Sequence, residues 1–290
     1  MAFGGASAGG DPVALDRVLA HAHGVRVREM PGEAPTLLEE RDPIAVRALR
    51  DALRIADLPG FACMCWGDVV LDFFDTAERP LATVTLHHGY SIRWDGWPRD
   101  ALLADGVRPL EWLAVRGVAG PLREYRVAEQ RQAETDRAAR LWAAEIPAPL
   151  MSYASLFLDT SASGGSLTGR QVAEVHGLLS AAYPDAVDRI LRLCAWYAAG
   201  TGAYSGYPPH ERIPAQCLDL ENHTDFARAV DLADDAAVTG AVRYLLGWDT
   251  RKRLARLLSA LSPTARRKVL LRAPDAESRH WLERRIAGLQ

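Results

Sequence analysis

Two cysteines and two histidines occur at spacings that could bind a metal ion. Cys63 and Cys65 are two residues apart, so both thiols would project from the same face of a regular strand. His87 and His88 are adjacent and would point to opposite faces, so one ion could take only one of them unless Gly89 distorts the strand. One hypothesis is therefore a site of Cys63, Cys65 and His88, with a fourth position open, that suits zinc or copper(I).

The same residues also admit a structural interpretation. Cysteines without a disulfide behave as small apolar core residues, and Cys63 and Cys65 could fill that role. His87 and His88 would then be hydrogen-bonded structural groups. On this interpretation no cofactor is required.

A second set of candidates surrounds the same strands. The candidate catalytic residues fall at strand ends or in turns: Asp68, His87, His88 and Arg93. Trp66 and Trp94 lie beside them and could line a pocket for a small anionic or aromatic ligand. In an active site, either histidine would be the general base and Arg93 would bind an oxyanion or a carboxylate. Tryptophan and arginine also stack for purely structural reasons.

A loop in the second half of the chain offers further binding candidates. Residues 200–211 are rich in glycine and proline, and loops of this kind often carry binding residues. The polar and aromatic side chains that could bind a ligand are Tyr204, Tyr207, His210 and Glu211. The loop lacks the spacing of a phosphate-binding loop or of a serine nucleophile elbow, so it could instead only connect two helices.

The spacing of apolar residues predicts the elements that position these residues, and this spacing changes from strand-like to helix-like along the chain. Strands are predicted over Phe61–Trp66, Val69–Asp75, Leu81–His88 and Tyr90–Trp94. Helices are predicted over Asp42–Ala56, where Asp42 is the N-cap and Pro43 opens the first turn, and over Pro98–Arg116. Alternation in the third strand places Ala82, Val84, Leu86 and His88 on the face that packs against a helix.

From residue 121 onward the pattern predicts helices only. Thr168 and Gln171 form a capping box, and a helix over residues 184–199 is apolar around much of its circumference, which predicts the centre of a bundle. The predicted fold is α+β, a small antiparallel sheet with flanking helices, followed by an all-α domain that is an irregular bundle or repeat-like. The expected divisions are a flexible leader over 1–24, an α+β domain over 25–120 and a helical domain over 121–290.

Composition narrows the class of protein. No apolar run of the 290-residue chain approaches the ~20 residues of a membrane helix, so no membrane association is expected. The Gly/Ala-rich start lacks the features of a signal peptide, and four cysteines are too few for a disulfide framework. These observations favour a cytoplasmic protein.

The charge of the chain is unevenly distributed. From Arg251 to the end, eleven basic residues against three acidic ones give +8, and the net charge of −3 leaves −11 for residues 1–250. The acidic body would repel nucleic acid, so nucleic-acid binding is not expected. The basic end would instead pair within the chain or bind an acidic protein partner.

Two groups of residues carry a resemblance to uncharacterised bacterial proteins. The first resembles their N-terminal module and comprises Cys63-Met64-Cys65-Trp66-Gly67-Asp68, the run Leu86 to Trp94 that begins Leu-His-His-Gly, and Trp112-Leu113. The second resembles their helical half and comprises residues 202–208, 240–243 and 247–248. The resemblance implies a bacterial origin and the two-part architecture, but no activity.

Because no complete catalytic motif is present, the sequence favours a cytoplasmic adaptor. In that interpretation the α+β domain binds a small molecule or a protein partner through the surface that carries His87, His88 and Arg93. The alternative is an enzyme, with or without a metal ion, whose site lies in the same domain.

Overall fold

The structure is a computed structural model that describes residues 10–30, 35–201 and 207–288. Its residues divide into unit 1, Met1–Gln132, and unit 2, Ala133–Gln290. Unit 1 contains an antiparallel sheet with helices and unit 2 is helical, which confirms the predicted α+β fold class with its helical C-terminal part.

Unit 1 is built on one seven-stranded sheet in the order β2-β1-β4-β5-β6-β7-β3. Every strand is antiparallel to its neighbours. The strands are β1 (Gly24–Glu29), β2 (Thr36–Glu40), β3 (Ile55–Asp57), β4 (Val69–Phe74), β5 (Pro80–His87), β6 (Ser91–Trp94) and β7 (Ala101–Leu103). The helices are α1 (Ala14–Leu19), α2 (Pro43–Ala52), α3 (Val107–Ala114) and the first part of α4 (Gly120–Ala144).

The register of the strands aligns an apolar row across the sheet. Leu71 on β4 is opposite both Val27 on β1 and Val84 on β5, and Leu86 is opposite Ile92 on β6. All five side chains are fully buried, in the same core as residues of α1, α2 and α3. The predicted burial of Ala82, Val84 and Leu86 on one face of the strand is therefore confirmed.

Local capping explains where α2 begins. The Asp42 carboxylate accepts a hydrogen bond from the Ile44 amide, and Pro43 occupies the first turn, where its missing N–H costs nothing. The helix packs its apolar stripe into the core, and the Trp112 indole of α3 donates a hydrogen bond to the Ala45 carbonyl. The prediction of this helix is confirmed, although it ends at Ala52 and not at Ala56, because Ile55–Asp57 pair with β7 as strand β3.

Three predictions for unit 1 are wrong, because tertiary pairing outweighs local preference. Residues 61–66 form a loop and not a strand, because Arg93 and Asp100 bind its backbone in place of a strand ladder. Residues 101–103 form β7, opposite β6 and β3, so the helix that was predicted over Pro98–Arg116 begins only at Val107. Within the predicted leader, α1 buries Leu15 and Leu19 in the core.

Unit 2 consists of helices around one apolar core. They are α5 (Ala154–Ala162), α6 (Gly169–Ala182), α7 (Ala186–Ala198), α8 (Ile213–Leu218), α9 (His223–Leu232), α10 (Asp235–Leu246), α11 (Leu254–Ala260), α12 (Pro263–Leu271) and α13 (Ala276–Ala287). Short 3₁₀ helices cover Ala148–Tyr153, Pro209–Arg212 and Asp249–Lys252.

Helix α7 is the buried centre of unit 2, as predicted. Its buried residues are Val187, Arg189, Ile190, Leu193, Cys194, Trp196 and Tyr197. Helix α10 crosses it so closely that a Cβ atom at Gly240 would lie 1.8 Å from the Cys194 carbonyl oxygen. The predicted capping box of Thr168 and Gln171 begins α6 and is confirmed. Among the described residues, no helix combines the length and the apolarity that crossing a bilayer demands.

Candidate metal centre

Three side chains from two distant parts of the sequence converge beside the sheet of unit 1. The Cys63 and Cys65 sulfurs are 2.9 Å apart, and His88 Nε2 lies 3.6 Å from the Cys63 sulfur. The ligand atoms of these three residues all lie within 4.8 Å of one another, a separation that one metal ion can bridge. They are the three residues that the sequence predicted as metal ligands.

An ion pair holds the loop that carries the two cysteines. Asp100 is buried, and its carboxylate accepts hydrogen bonds from the Cys63 amide at 2.6 Å and from Arg93 Nε at 2.8 Å. Arg93 Nη2 also donates to the Cys63 carbonyl oxygen at 2.5 Å. The pair therefore fixes the Cys63 backbone from both sides. Arg93, predicted as an oxyanion or carboxylate partner, uses these donors within the protein.

The end of the loop is fixed by a close backbone approach. The Asp68 amide donates to the Leu86 carbonyl oxygen at 2.7 Å, and Gly67 has φ +93°. A Cβ atom at Gly67 would lie 2.4 Å from Thr85 Cγ2 and 2.8 Å from that carbonyl oxygen. Only glycine fits this position without a shift of the neighbouring strand.

His88 reaches the cysteines because it lies beyond the end of β5. His88 and Gly89 both have left-handed backbones, with φ of 53° and 68°, and the Tyr90 amide donates to the His87 carbonyl oxygen at 3.2 Å. This tight turn removes His88 from the alternation of the strand, so the prediction that it lies on the core face with Ala82 is wrong. Its ring is exposed and stacks on Tyr90.

His87 takes a different role from its neighbour. It is fully buried, and its Nδ1 lies 3.1 Å from the Cys65 sulfur. Its Nε2 has no hydrogen-bond partner among the described residues. Burial, and then the charge of Arg93, lower the pKa of His87 and favour the neutral ring. A proton on Nδ1 would be donated to the Cys65 sulfur, and a proton on Nε2 would leave Nδ1 to accept from the thiol.

The donor set fits a soft or borderline metal ion. In a tetrahedral zinc site, sulfur atoms are about 3.8 Å apart and sulfur and nitrogen about 3.6 Å apart. The distance from Cys63 to His88 has this value already, whereas the two sulfurs would separate by about 1 Å. Burial, followed by the hydrogen bond with Cys63, raises the pKa of Cys65, so the unliganded Cys65 favours a neutral thiol.

Asp68 lies behind His88. Its carboxylate is 4.0 Å from His88 Nδ1, the ring nitrogen that does not face the cysteines. Burial raises the pKa of Asp68, while the His88 ring and the backbone amides of His88 and Gly89 oppose that rise. A carboxylate in this position orients a ligating histidine in many metal sites.

A cavity of about 620 Å³ borders the cluster on the side of His88. Asp68 and His88 form one wall, and residues at the start of α4, including Arg123, Glu124 and Tyr125, form the other. Neither cysteine is among its lining residues. The cavity gives a small molecule access to the histidine side of the cluster.

The predicted aromatic residues lie in two environments. The Trp66 side chain is 72% exposed on the cysteine loop, next to the fully exposed Met64. Trp94 is partly buried and packs edge-to-face on Trp97 at 4.9 Å. Only Trp66 is therefore freely accessible to a ligand or partner.

The candidates from the loop of unit 2 do not form one open site. Tyr204 lies outside the described residues, and Tyr207 is exposed. His210 is buried, packs on Trp142, and its Nδ1 lies 2.9 Å from the Ser161 hydroxyl. Glu211 is buried and accepts hydrogen bonds from Thr201 and Arg243.

Asp100 is the residue of the site that the sequence did not reveal. It lies in a segment that was predicted as helix, 37 positions from Cys63. A lone aspartate carries no motif, and its role depends on a fold that brings the two segments together.

No protein-family model, curated protein or solved structure matches this chain.

Proposed function

We propose that this protein is a metal-dependent enzyme that binds zinc, or a metal ion of similar softness, through Cys63, Cys65 and His88. The observation that carries the proposal is the convergence of their three ligand atoms within 4.8 Å. Two thiolates and an imidazole suit Zn²⁺ and copper(I), and they do not suit Mg²⁺ or Ca²⁺, which prefer oxygen ligands.

The number of ligands supports catalysis in preference to a structural role. Structural zinc sites use four protein ligands, whereas catalytic sites use three and leave a position for water or substrate. His88 belongs both to the cluster and to the wall of the adjoining cavity. A zinc ion in such a site polarises carbonyl or phosphoryl oxygens and makes a bound water more acidic.

The surrounding residues would position the ligands. Asp68, whose carboxylate is 4.0 Å from His88 Nδ1, would orient that ring by electrostatic attraction, and His87 would stabilise a Cys65 thiolate when its Nδ1 carries the proton. Arg93 and Asp100 hold the Cys63 backbone in place. A cytoplasmic location would keep both thiols reduced and so available to a metal.

The decisive experiment is elemental analysis of protein purified without a histidine tag. We expect one zinc per chain in the wild type and none in the Cys63→Ser/Cys65→Ser variant. Cys194→Ala is the matched control, because this thiol is buried in unit 2 and its loss should leave the metal content unchanged. Absence of metal from the wild type after anaerobic incubation with zinc, or equal metal in the double variant, would refute the proposal.

Cobalt substitution tests the open position. Azide added to the Co²⁺ protein should change its visible absorption spectrum, because an external ligand can enter a site with only three protein ligands. A spectrum that azide does not change would indicate a closed, structural site.

An adaptor role is the second candidate, and the exposed Met64 and Trp66 favour it. Large exposed apolar side chains on a fixed loop are suited to a protein partner. Trp66→Ala should then remove a partner from proximity labelling in cells, and Trp248→Ala, which alters an exposed tryptophan of unit 2, should not. Identical labelling by both variants and the wild type would contradict this candidate.

A further inference from the structure

A cleft in unit 2 is lined by three arginines. Arg251, Arg284 and Arg285 line it together with Leu254 and Leu258, and its volume is about 260 Å³. Its described lining residues include no acidic side chain. Both leucines are buried, so the cleft combines three positive charges with the small exposed apolar surface of Ala255 and the arginine stems.

The three arginines have no ion-pair partner within the part of the chain that the structure describes. The acidic residues next to them in sequence face other groups. Asp249 pairs with Arg212, and a Glu283 oxygen lies 3.9 Å from His280 Nδ1. The charge of the cleft is therefore not neutralised by these two carboxylates.

Other basic residues of the C-terminal segment serve the fold. Arg253 bonds to Asp219, Arg272 pairs with Asp235, and Lys268 donates to the carbonyl oxygens of Asp231 and Ala233. Intramolecular pairing thus accounts for part of the basic segment and leaves the arginines of the cleft available.

Two of the three guanidinium groups are held by aromatic rings. The Arg251 Cζ atom lies 3.7 Å from the centroid of Trp248, and that of Arg285 lies 5.3 Å from the centroid of Trp281. Stacking on a ring face fixes the plane of a guanidinium and leaves its N–H edges free. Such edges match the paired oxygens of a phosphate.

We propose that this cleft binds a phosphate monoester with a short apolar body. The arginines would contact the phosphate dianion, and the exposed Ala255 and the aliphatic stems of the arginines would contact the apolar part. A phosphate on a free metabolite and one on a lipid headgroup share this chemistry. The site lies in unit 2 and does not depend on the proposed metal centre of unit 1.

Titration calorimetry with hexyl phosphate, inorganic phosphate and hexanoate tests the proposal. We expect hexyl phosphate to bind more tightly than either of the others, because only it uses both the guanidinium groups and the apolar surface of Ala255 and the arginine stems. The Arg284→Gln/Arg285→Gln variant should weaken its binding by roughly tenfold or more, since each lost contact is a charged hydrogen bond.

The matched control is Arg256→Gln/Arg267→Gln. It removes the same charge from exposed positions of the same basic segment that do not line the cleft. Its affinity for hexyl phosphate should stay within about twofold of the wild type, because exposed charges outside the cleft are screened by salt. Equal weakening in both double variants, with both folded by circular dichroism, would overturn the proposal, and so would no binding by the wild type.

Vesicles that contain phosphatidic acid, whose headgroup is a phosphate monoester, distinguish the two sources of the phosphate. Vesicle binding that hexyl phosphate displaces would support the cleft and identify a lipid headgroup as its ligand. Hexyl phosphate binding without vesicle binding would support a free metabolite. Vesicle binding without any hexyl phosphate binding would overturn the proposal in favour of general surface attraction.

Discussion

Unit 1 and unit 2 each bury a carboxylate against an arginine, and the two ion pairs differ in the other groups that they bind and position. In unit 2, Glu221 binds Arg189 through both oxygens, at 2.6 and 2.8 Å, and one oxygen also lies 2.8 Å from His176 Nε2. In unit 1, the Arg93–Asp100 pair binds the backbone of Cys63. Arg189 Nη1 also donates to the Tyr183 carbonyl oxygen at 2.7 Å, so the first network is closed in the sense that its polar groups are paired within unit 2. The second network positions a thiol that can still coordinate a metal.

The comparison separates structural from functional polar groups. Glu211, in unit 2, is also enclosed by partners, Thr201 and Arg243, although its sequence position suggested a binding role. Buried polar groups that satisfy one another hold a fold in one arrangement, and the loss of one partner is costly because the other is left buried and unpaired. Groups that are held in place with unused coordinating atoms are candidates for chemistry.

The largest effect should come from breaking the closed network of unit 2. Glu221→Ala leaves the buried Arg189 without its partner and should reduce the free energy of unfolding by about 3 to 5 kcal/mol. Urea denaturation measures this change. Arg228→Ala, which removes an exposed pair with Asp225 in the same unit, should cost less than about 1 kcal/mol. Similar losses in both variants would contradict the distinction between closed and exposed pairs.

A smaller effect is expected from Gly67→Ala at the cysteine loop. The left-handed backbone and the overlap with Thr85 and the Leu86 carbonyl should together reduce the free energy of unfolding by about 2 to 4 kcal/mol. Zinc affinity should fall in the same variant, because the loop must shift.

Gly117→Ala is the matched control for Gly67→Ala. Gly117 also has φ +93°, but its Cβ would meet nothing within 4 Å. The free energy of unfolding of the Gly117→Ala variant should fall by only about 1 to 2 kcal/mol, the cost of a left-handed backbone at alanine. This variant should keep the metal. Equal costs at the two glycines would show that close packing of the loop is unimportant.

Asp100→Asn tests how the ion pair positions the cysteine loop. The neutral amide weakens the hydrogen bonds to Arg93 and to the Cys63 amide, at a cost of about 1.5 to 3 kcal/mol. Zinc affinity, measured by competition with a chelator, should fall by roughly tenfold or more. Asp72→Asn, which weakens the pair with Arg28 elsewhere in the sheet, should leave zinc affinity unchanged. Unchanged affinity in Asp100→Asn would show that the pair does not position a ligand.

The smallest effect concerns the pH dependence of unit 2. Burial, which outweighs the opposing charge of Glu211, lowers the pKa of His210, so the folded protein keeps this ring neutral. Below about pH 6.5 the unfolded chain binds a proton that the folded chain does not, so stability falls on acidification. The contribution is at most about 1.4 kcal/mol per pH unit, from pH 6.5 down to the lowered pKa.

His210→Gln removes the titrating ring and should flatten the dependence of unfolding free energy on pH in that range. Denaturation curves across the acidic range measure the slope. The same slope in variant and wild type would mean that His210 is not the titrating group.

Sequence alone determined the elements whose signals are local. Asp42 and Pro43 begin α2, and Thr168 and Gln171 begin α6, because a cap bonds to amides within three residues of itself. Alternation likewise determined which face of β5 is buried, since that pattern follows from the pleat. Residue types and spacing also identified Cys63, Cys65 and His88 together, although the predicted strand at the cysteines is absent.

Only the tertiary structure decided how those three side chains meet. The loop at Cys63 takes its shape from Asp100 and Arg93, which lie 37 and 30 positions away, and no local pattern encodes such a contact. The turn that brings His88 to the cysteines depends on two left-handed residues at the end of β5. Long-range hydrogen bonds, which form only once the sheet has assembled, therefore determine the geometry of the site.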